Sequence, residues 1–132
     1  MIPVADLVLV DTCIWIPFFN RPHSVEKRAL DELLDDDRVA LIGPIVAEIL
    51  LGFRREEQAD WVAAELRGIH HLPLSWDDWR AAAQVGRALR AGGHVLPLPD
   101  LVIAAVALRN GCRVWSIDPH FDHISELKRF TA

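Results

Sequence analysis

The chain has 132 residues, a length that suits one domain, and we expect residues 1–132 to form a single domain. With 52% hydrophobic and 25% charged residues, the composition excludes a disordered chain. The net charge of -5 argues against a protein held on nucleic acid by bulk positive charge. It leaves open a nuclease whose acids are concentrated at a metal site.

Short β-rich runs alternate with helical segments along the chain, which is typical of a parallel α/β sheet. Strands are predicted at residues 7–10, 39–42, 69–74 and 113–117, with a final edge strand after residue 118. Helices are predicted at about residues 25–36, 44–52, 56–67, 76–90 and 100–110. Ser75 followed by Asp78 resembles a capping box at the start of the fourth helix.

Targeting signals and cysteine usage point to a cytoplasmic protein. The apolar stretches are shorter than the roughly 20 residues of a membrane span, and the N-terminus lacks the basic segment of a secretory signal. We therefore expect no contact with a membrane. Cys13 and Cys112 have no metal-type spacing, which favours two reduced structural thiols.

Four acids stand out because carboxylates rarely enter apolar settings unless they are paired or bind metal. Asp11 and Asp118 each end a hydrophobic strand, and such strand ends open onto the crevice where α/β proteins bind ligands. Asp100 opens the most hydrophobic helix, where the helix dipole favours its charge. Glu48 is the single polar residue of IVAEILLGF, near the start of a short helix that offers it no basic partner.

Each acid also has an ordinary structural interpretation. Asp100 alone could be a helix N-cap, and Asp11 or Asp118 alone could close a turn. Four acids at one sheet edge, however, would repel one another without a cation. Oxygen ligands select Mg²⁺ or Mn²⁺, and such an ion can activate water and position a phosphodiester. The chemistry predicted is phosphodiester hydrolysis.

Four segments, in this order, resemble those of the PIN-domain family and, within it, the VapC-type toxins of prokaryotic toxin–antitoxin pairs. They are LVLVDTCIWI with Asp11 and Thr12, IVAEILLGF with Glu48 and Gly52, PLPDLVIAAVALRNG with Asp100, and VWSIDPHFDHI with Ser116, Asp118 and Phe121. Ser116 stands where many relatives have Thr, which keeps the hydroxyl. The resemblance implies a PIN-like three-layer α/β/α sandwich around a mainly parallel sheet of four to five strands.

The resemblance also implies a Mg²⁺-dependent endoribonuclease, with Mn²⁺ able to substitute. Its catalytic and metal-binding pocket would consist of Asp11, Glu48, Asp100 and Asp118. Asp11 and Asp100 would bind the metal directly, Glu48 would hold metal-bound water, and Asp118 would complete the ligand set or bind through water. Thr12 and Ser116 would orient the aspartates through their hydroxyls.

The partners implied are RNA, a second copy of the chain in a homodimer, and a cognate VapB-type antitoxin. The antitoxin's extended C-terminal segment would cross an apolar groove and block the acidic pocket. Candidates for this groove, with buried core as the alternative, are Ile14, Trp15, Phe18 and Phe19. No motif selects among possible RNA targets.

Three other functions share parts of this pattern. A haloacid-dehalogenase-type phosphatase needs a second Asp two residues after the first, where this chain has Cys13. A catalytically silent PIN binding module typically lacks a pocket acid, and all four are present here. A free-standing RNA-processing nuclease stays open.

Other polar and aromatic residues support weaker hypotheses. His120 and His123 flank Asp122 and suggest zinc only faintly, since no cysteine lies nearby, and Asp122 itself is better interpreted as a solvated turn residue. Three tryptophans could stack on RNA bases or anchor core and interface contacts: Trp61, Trp76 and Trp79. Arginines that could contact phosphate or simply face solvent are Arg54, Arg55, Arg80, Arg87 and Arg90.

Overall fold

The computed structural model describes residues 2–132 and contains a four-stranded, all-parallel sheet in the order β3-β2-β1-β4. The strands are β1 (Val8–Val10), β2 (Val39–Leu41), β3 (His70–His71) and β4 (Arg113–Trp115). Every residue of β1 and β2 is buried, because these central strands are covered on both faces. This explains why they occur in the sequence as continuous apolar runs.

Within the described residues, six α-helices flank the sheet: α1 (Thr12–Asn20), α2 (Val25–Asp35), α3 (Gly43–Leu51), α4 (Glu56–Leu66), α5 (Trp76–Ala91) and α6 (Leu98–Asn110). The chain runs from β1 to β2 to β3 in one direction and then crosses back to β4, beyond β1. Right-handed crossovers therefore place α1 to α4 on one face and α5 with α6 on the other. The predicted three-layer α/β/α sandwich is confirmed.

This strand order creates a ligand-binding position. The connections that leave β1 and enter β4 run over opposite faces of the sheet, so a crevice opens at the carboxyl ends of these two neighbouring strands. Asp11 follows β1 directly, and Ser116 follows β4. The fold itself brings these two side chains together from positions 105 residues apart.

The end of the chain differs from the prediction. No final edge strand forms in residues 2–132; a short 3₁₀ helix covers Pro119–His123, and one isolated parallel bridge joins Val114 to Arg129. Pro119 starts the 3₁₀ helix because its fixed φ suits a first helical position. β4 is also shorter than predicted and stops at Trp115, since Ser116 turns its hydroxyl into the crevice.

Helix α1 was not predicted. Its sequence is almost wholly apolar and shows no helical period, and Pro17, which cannot donate a backbone hydrogen bond, lies inside it. Tertiary packing overrides this weak local preference, because Ile14 and Trp15 are buried on the helix face that meets the core. β3 is shorter than the predicted strand at residues 69–74 and has only two residues, because Pro73, which cannot donate a backbone hydrogen bond, follows closely.

Two further expectations can be compared with the structure. Among the described residues, no helix has both the length and the apolar character needed to cross a bilayer. Cys13 and Cys112 are both free thiols, as predicted. Burial raises the pKa of each thiol, which favours the protonated form.

Candidate active site

The crevice between β1 and β4 holds two buried carboxylates. Asp11 is 8% exposed and Asp100 9% exposed. Asp118 is half-buried beside them, while Glu48 is exposed. Two of the four acids are thus buried as predicted and Asp118 is partly buried, but the predicted burial is wrong for Glu48.

The two oxygens of Asp11 have different partners. Oδ1 accepts a hydrogen bond from the Thr12 backbone N–H at 2.8 Å, so Asp11 is the N-cap of α1. Oδ2 accepts a hydrogen bond from the Ser116 hydroxyl at 2.8 Å and lies 3.5 Å from the Cys13 sulfur. Asp11 is thus the N-cap of a helix that was not predicted, and its second oxygen is fixed by Ser116 at the end of the neighbouring strand.

Ser116 joins two of the acids. Its Oγ donates to Asp11 and accepts the backbone N–H of Asp118 at 3.0 Å. The hydroxyl of Thr12, by contrast, donates to Glu48 Oε1 at 3.1 Å rather than to an aspartate. Between them, these two hydroxyls connect three of the four candidate acids.

Glu48 lies elsewhere on its helix than the sequence suggested. α3 begins at Gly43, so Glu48 is the sixth of nine residues and lies in the second half of the helix. Ile45 and Ile49 are the buried residues of this helix, whereas the Glu48 side chain is exposed. It is linked to Asp11 through Thr12, whose hydroxyl donates to Glu48 and whose backbone N–H donates to Asp11.

Asp100 is not a helix N-cap. The N-cap of α6 is Pro97, and the Asp100 carboxylate, in the first turn, interacts instead with His120. His120 Nδ1 lies 2.7 Å from Asp100 Oδ2 and 2.9 Å from Asp118 Oδ1. Asp118 Oδ1 also accepts the His120 backbone N–H at 3.0 Å and so caps the 3₁₀ helix.

His120 is a site residue that the sequence pattern does not predict beyond a faint zinc hypothesis. Its imidazole bridges two acids because the 3₁₀ turn after Asp118 folds position 120 back over α6. The one available signal was its position two residues after a strand-terminal Asp. His123, the other histidine considered with it, stacks on His94 with the ring centres 3.7 Å apart.

Charge accumulates in this crevice. Burial raises the pKa of Asp100, and the nearby charges of Asp11 and Asp118 add to this rise, against the hydrogen bond from His120. The hydrogen bond to Asp100 and the charge of Asp118 hold the pKa of His120 above its usual range. Three acids therefore share one region in which a positive charge is strongly favoured.

The donor atoms suit a divalent cation. One ligand atom each from Asp100, Asp118 and His120 can be chosen so that all three lie within 4.8 Å of one another. Carboxylate oxygens are the ligands that Mg²⁺ and Mn²⁺ prefer, and imidazole suits the first-row transition metals. Asp122, the extra acid considered, is exposed and pairs with Arg129 at 2.9 Å, as expected for a surface residue.

An apolar groove of about 790 Å³ adjoins the acids and shares Thr12 and Glu48 with them. It lies among α1, α3 and α4, and its apolar lining includes Trp15, Ile16, Phe19, Ile49, Phe53 and Trp61. Of the four residues predicted for this groove, Trp15 and Phe19 contribute to the lining. The prediction is wrong for the other two, because Ile14 is buried core and Phe18 packs against the core outside the lining. Arg54 and Arg55 also line it.

The remaining tryptophans and arginines lie at the surface. Trp61, Trp76 and Trp79 are all exposed, which excludes the core interpretation for these three. The α5 arginines considered for phosphate contact are exposed as well: Arg80, Arg87 and Arg90.

Comparison with known proteins agrees with this geometry. The PIN domain family model matches residues 8–127. Ribonuclease VapC11 of Mycobacterium tuberculosis is 32% identical over 130 residues, which cover 96% of this chain and 97% of the relative.

Solved structures share the fold. VapBC2 from Rickettsia felis, bound to a promoter DNA fragment, superposes with a TM-score of 0.79 at 18% identity, covering 94% of this chain and 97% of its match. VapBC-1 from nontypeable Haemophilus influenzae gives 0.77 at 19% identity, covering 94% and 96%. The family match, the VapC relative and the position of the acids lead to one conclusion: the chain belongs to the PIN-domain family, with VapC ribonucleases among its relatives.

Proposed function

We propose that the chain is a metal-dependent endoribonuclease, the toxin of a VapBC-type toxin–antitoxin module. The observation that carries the proposal is a continuous series of contacts that links all four candidate acids at the switch point of the sheet. The series runs Glu48, Thr12, Asp11, Ser116, Asp118, His120, Asp100. Kinship with proteins named VapC ribonucleases supports RNA as the substrate.

The acids have different roles in this proposal. Asp11, Asp100 and Asp118 would hold Mg²⁺ or Mn²⁺, which when bound supplies an activated water and stabilises charge on the phosphodiester. Ser116 holds Asp11 Oδ2 and the Asp118 backbone in fixed relation. Glu48, exposed at the rim and held by Thr12, would orient water at the edge of the pocket.

The groove supports the partner part of the proposal. Its lining includes Glu48 and Thr12, the residue that follows Asp11, so an extended antitoxin segment in the groove would lie beside the acids. Structures of VapBC complexes share this fold. A homodimer, which the family resemblance implies, stays a prediction, and light scattering of the purified chain would measure it.

The test is RNA cleavage by the purified chain, freed of any partner. We expect cleavage with Mg²⁺ or Mn²⁺, loss of cleavage with EDTA, and recovery when metal is restored. Asp11→Asn and Asp100→Asn should lower the rate by at least about a hundredfold, because each removes a charged ligand. The matched control is Asp122→Asn, which changes an exposed acid of the same region that pairs with Arg129.

Undiminished cleavage in Asp11→Asn would overturn the metal mechanism. Metal binding without cleavage of any RNA would favour the silent binding module instead. Expression of the active chain should also arrest growth of a host cell unless the antitoxin is co-expressed. Normal growth with active protein present would favour a free-standing RNA-processing nuclease.

A further inference from the structure

We propose that His120 is a metal ligand, through Nδ1, and that it shifts the preference of the site toward Mn²⁺ and away from Mg²⁺. The inference rests on the proposed function, because it assumes that a divalent cation binds among the acids. It goes further in adding a nitrogen to the all-carboxylate set of ligands that the family resemblance implies.

The distances around Nδ1 are those of neighbouring ligands in a coordination shell. Two ligands at right angles on a cation, with bonds of about 2.1 Å, are about 3.0 Å apart. His120 Nδ1 is 2.7 Å from Asp100 Oδ2 and 2.9 Å from Asp118 Oδ1. A cation can therefore take the place of the shared proton with little movement of the three side chains, and that proton is released to solvent.

The backbone holds the imidazole in this position. The His120 N–H donates to Asp118, and the next residue, Phe121, is 1% exposed and anchors the 3₁₀ helix in the core. The helix contacts α6, which carries Asp100. The fold therefore holds both the backbone of His120 and the helix that carries Asp100. For this reason we expect the imidazole to stay beside the acids when the metal binds.

A nitrogen ligand changes which metal is favoured. Mg²⁺ is a hard cation that takes oxygen ligands and keeps several waters, whereas imidazole binds first-row transition metals well. Two carboxylates with one imidazole therefore favour Mn²⁺ over Mg²⁺ relative to an all-oxygen set. We expect loss of the imidazole to lower the ratio of Mn²⁺ to Mg²⁺ affinity by about tenfold.

The experiment is calorimetric titration of the full chain with MnCl₂ and, separately, MgCl₂. His120→Ala should weaken Mn²⁺ binding by about tenfold and Mg²⁺ binding less. His120→Asp, which restores an oxygen ligand, should shift the preference toward Mg²⁺. His123→Ala is the matched control, because His123 belongs to the same 3₁₀ helix but stacks on His94.

Pulsed electron paramagnetic resonance of the Mn²⁺-loaded chain gives a readout independent of catalysis and folding. A ¹⁴N coupling should be present in the wild type and in His123→Ala, and absent in His120→Ala and His120→Asp. If His120→Ala fails to fold, the wild-type spectrum alone decides.

Two results would overturn the inference: no nitrogen coupling in the wild type, or tighter Mn²⁺ binding by His120→Ala. Either would make the imidazole a counter-ion that the metal displaces. A wild type that binds neither metal would instead contradict the proposed function. The two failures are therefore distinguishable.

Discussion

Ser116 is buried between the ends of β1 and β4, and its single hydroxyl satisfies two groups at once. It donates to Asp11 Oδ2 and accepts the Asp118 backbone N–H. The Cys13 sulfur lies 3.3 Å from Ser116 Oγ. The hydroxyl thereby sets the orientation of one carboxylate and the path of the chain that carries another.

Replacing Ser116 should affect metal binding more than folding. Ser116→Ala leaves Asp11 Oδ2 without its hydroxyl donor, and we expect a loss of about tenfold to a hundredfold in Mn²⁺ affinity by calorimetry. The accompanying loss of unfolding free energy should be about 1 kcal/mol, measured in urea. Ser116→Thr keeps the hydroxyl and is the matched control. Equal Mn²⁺ affinity in Ser116→Ala would contradict this role.

Residues of the site differ in how well the sequence predicts them. Asp11 and Asp100 could be recognised because a carboxylate in an apolar run needs a partner, and the burial of both confirms that reasoning. Burial was wrongly predicted for Glu48, because an apolar helix can still have one exposed face. Leu51 of α3, which is 87% exposed, shows that this helix has such a face. His120 depends on a turn whose direction only the tertiary structure reveals.

α5 and α6 are joined by an ion pair between a buried carboxylate, Asp78, and the partly exposed guanidinium of Arg109. Asp78, whose side chain is fully buried, accepts hydrogen bonds from Arg109 Nε at 2.5 Å and Nη2 at 3.0 Å. It also accepts the Ser75 backbone N–H at 2.8 Å, the contact expected of the predicted capping box. Burial raises the pKa of Asp78, but the hydrogen bonds from Arg109 and Ser75 outweigh it and hold the pKa below its usual range.

Loss of Arg109 should destabilise the fold. Arg109→Met leaves the buried Asp78 carboxylate without its charged partner, and we expect a loss of about 2 kcal/mol in unfolding free energy at pH 7, because Arg109 is itself 44% exposed and Ser75 still donates to Asp78. Arg113→Met, which changes an exposed arginine at the start of β4, is the control and should change it little. A loss as small as that of the control would show that Ser75 alone satisfies Asp78.

The same pair gives a pH dependence with a defined sign. Because the pKa of Asp78 is lower in the folded state, its stabilising contribution is fully present above the unfolded value of about 3.9. It is lost as the pH falls through the folded value. Urea unfolding between pH 5 and pH 2 should therefore show a steeper loss in the wild type than in Asp78→Asn. Parallel curves would contradict the assignment.

Elements were predictable where local pattern and tertiary packing agree. The continuous apolar runs of β1 and β2 and the all-round apolar α6 have the patterns that double-sided burial requires. α1 could not be predicted, because its apolar residues serve both the core and the groove and so lack a helical period. The expected last strand reduces to one bridge at Arg129.

At the scale of the whole molecule, the acidic balance is concentrated at the site. Of 19 acidic residues, four belong to the proposed pocket, which leaves 15 against 14 basic residues. The rest of the chain is thus almost neutral and offers little general attraction for RNA. Recognition would depend on the metal, a few arginines, and the groove that adjoins the acids.

Trp61 tests whether the groove binds the antitoxin. It lines the groove and is 65% exposed, and a tryptophan is the side chain most often responsible for interface affinity. If the proposed VapB-type antitoxin binds in the groove, Trp61→Ala should weaken its binding by about thirtyfold in a calorimetric titration, which corresponds to about 2 kcal/mol.

Trp76→Ala is the matched control, because Trp76 is 78% exposed on α5 and is not part of the groove lining. Trp76→Ala should leave the antitoxin affinity unchanged, since Trp76 lies outside the groove. If both substitutions weaken binding equally, or if neither weakens it, the antitoxin binds on another surface. A loss confined to Trp61→Ala would locate the antitoxin segment beside Thr12 and Glu48, where it can cover the acids directly.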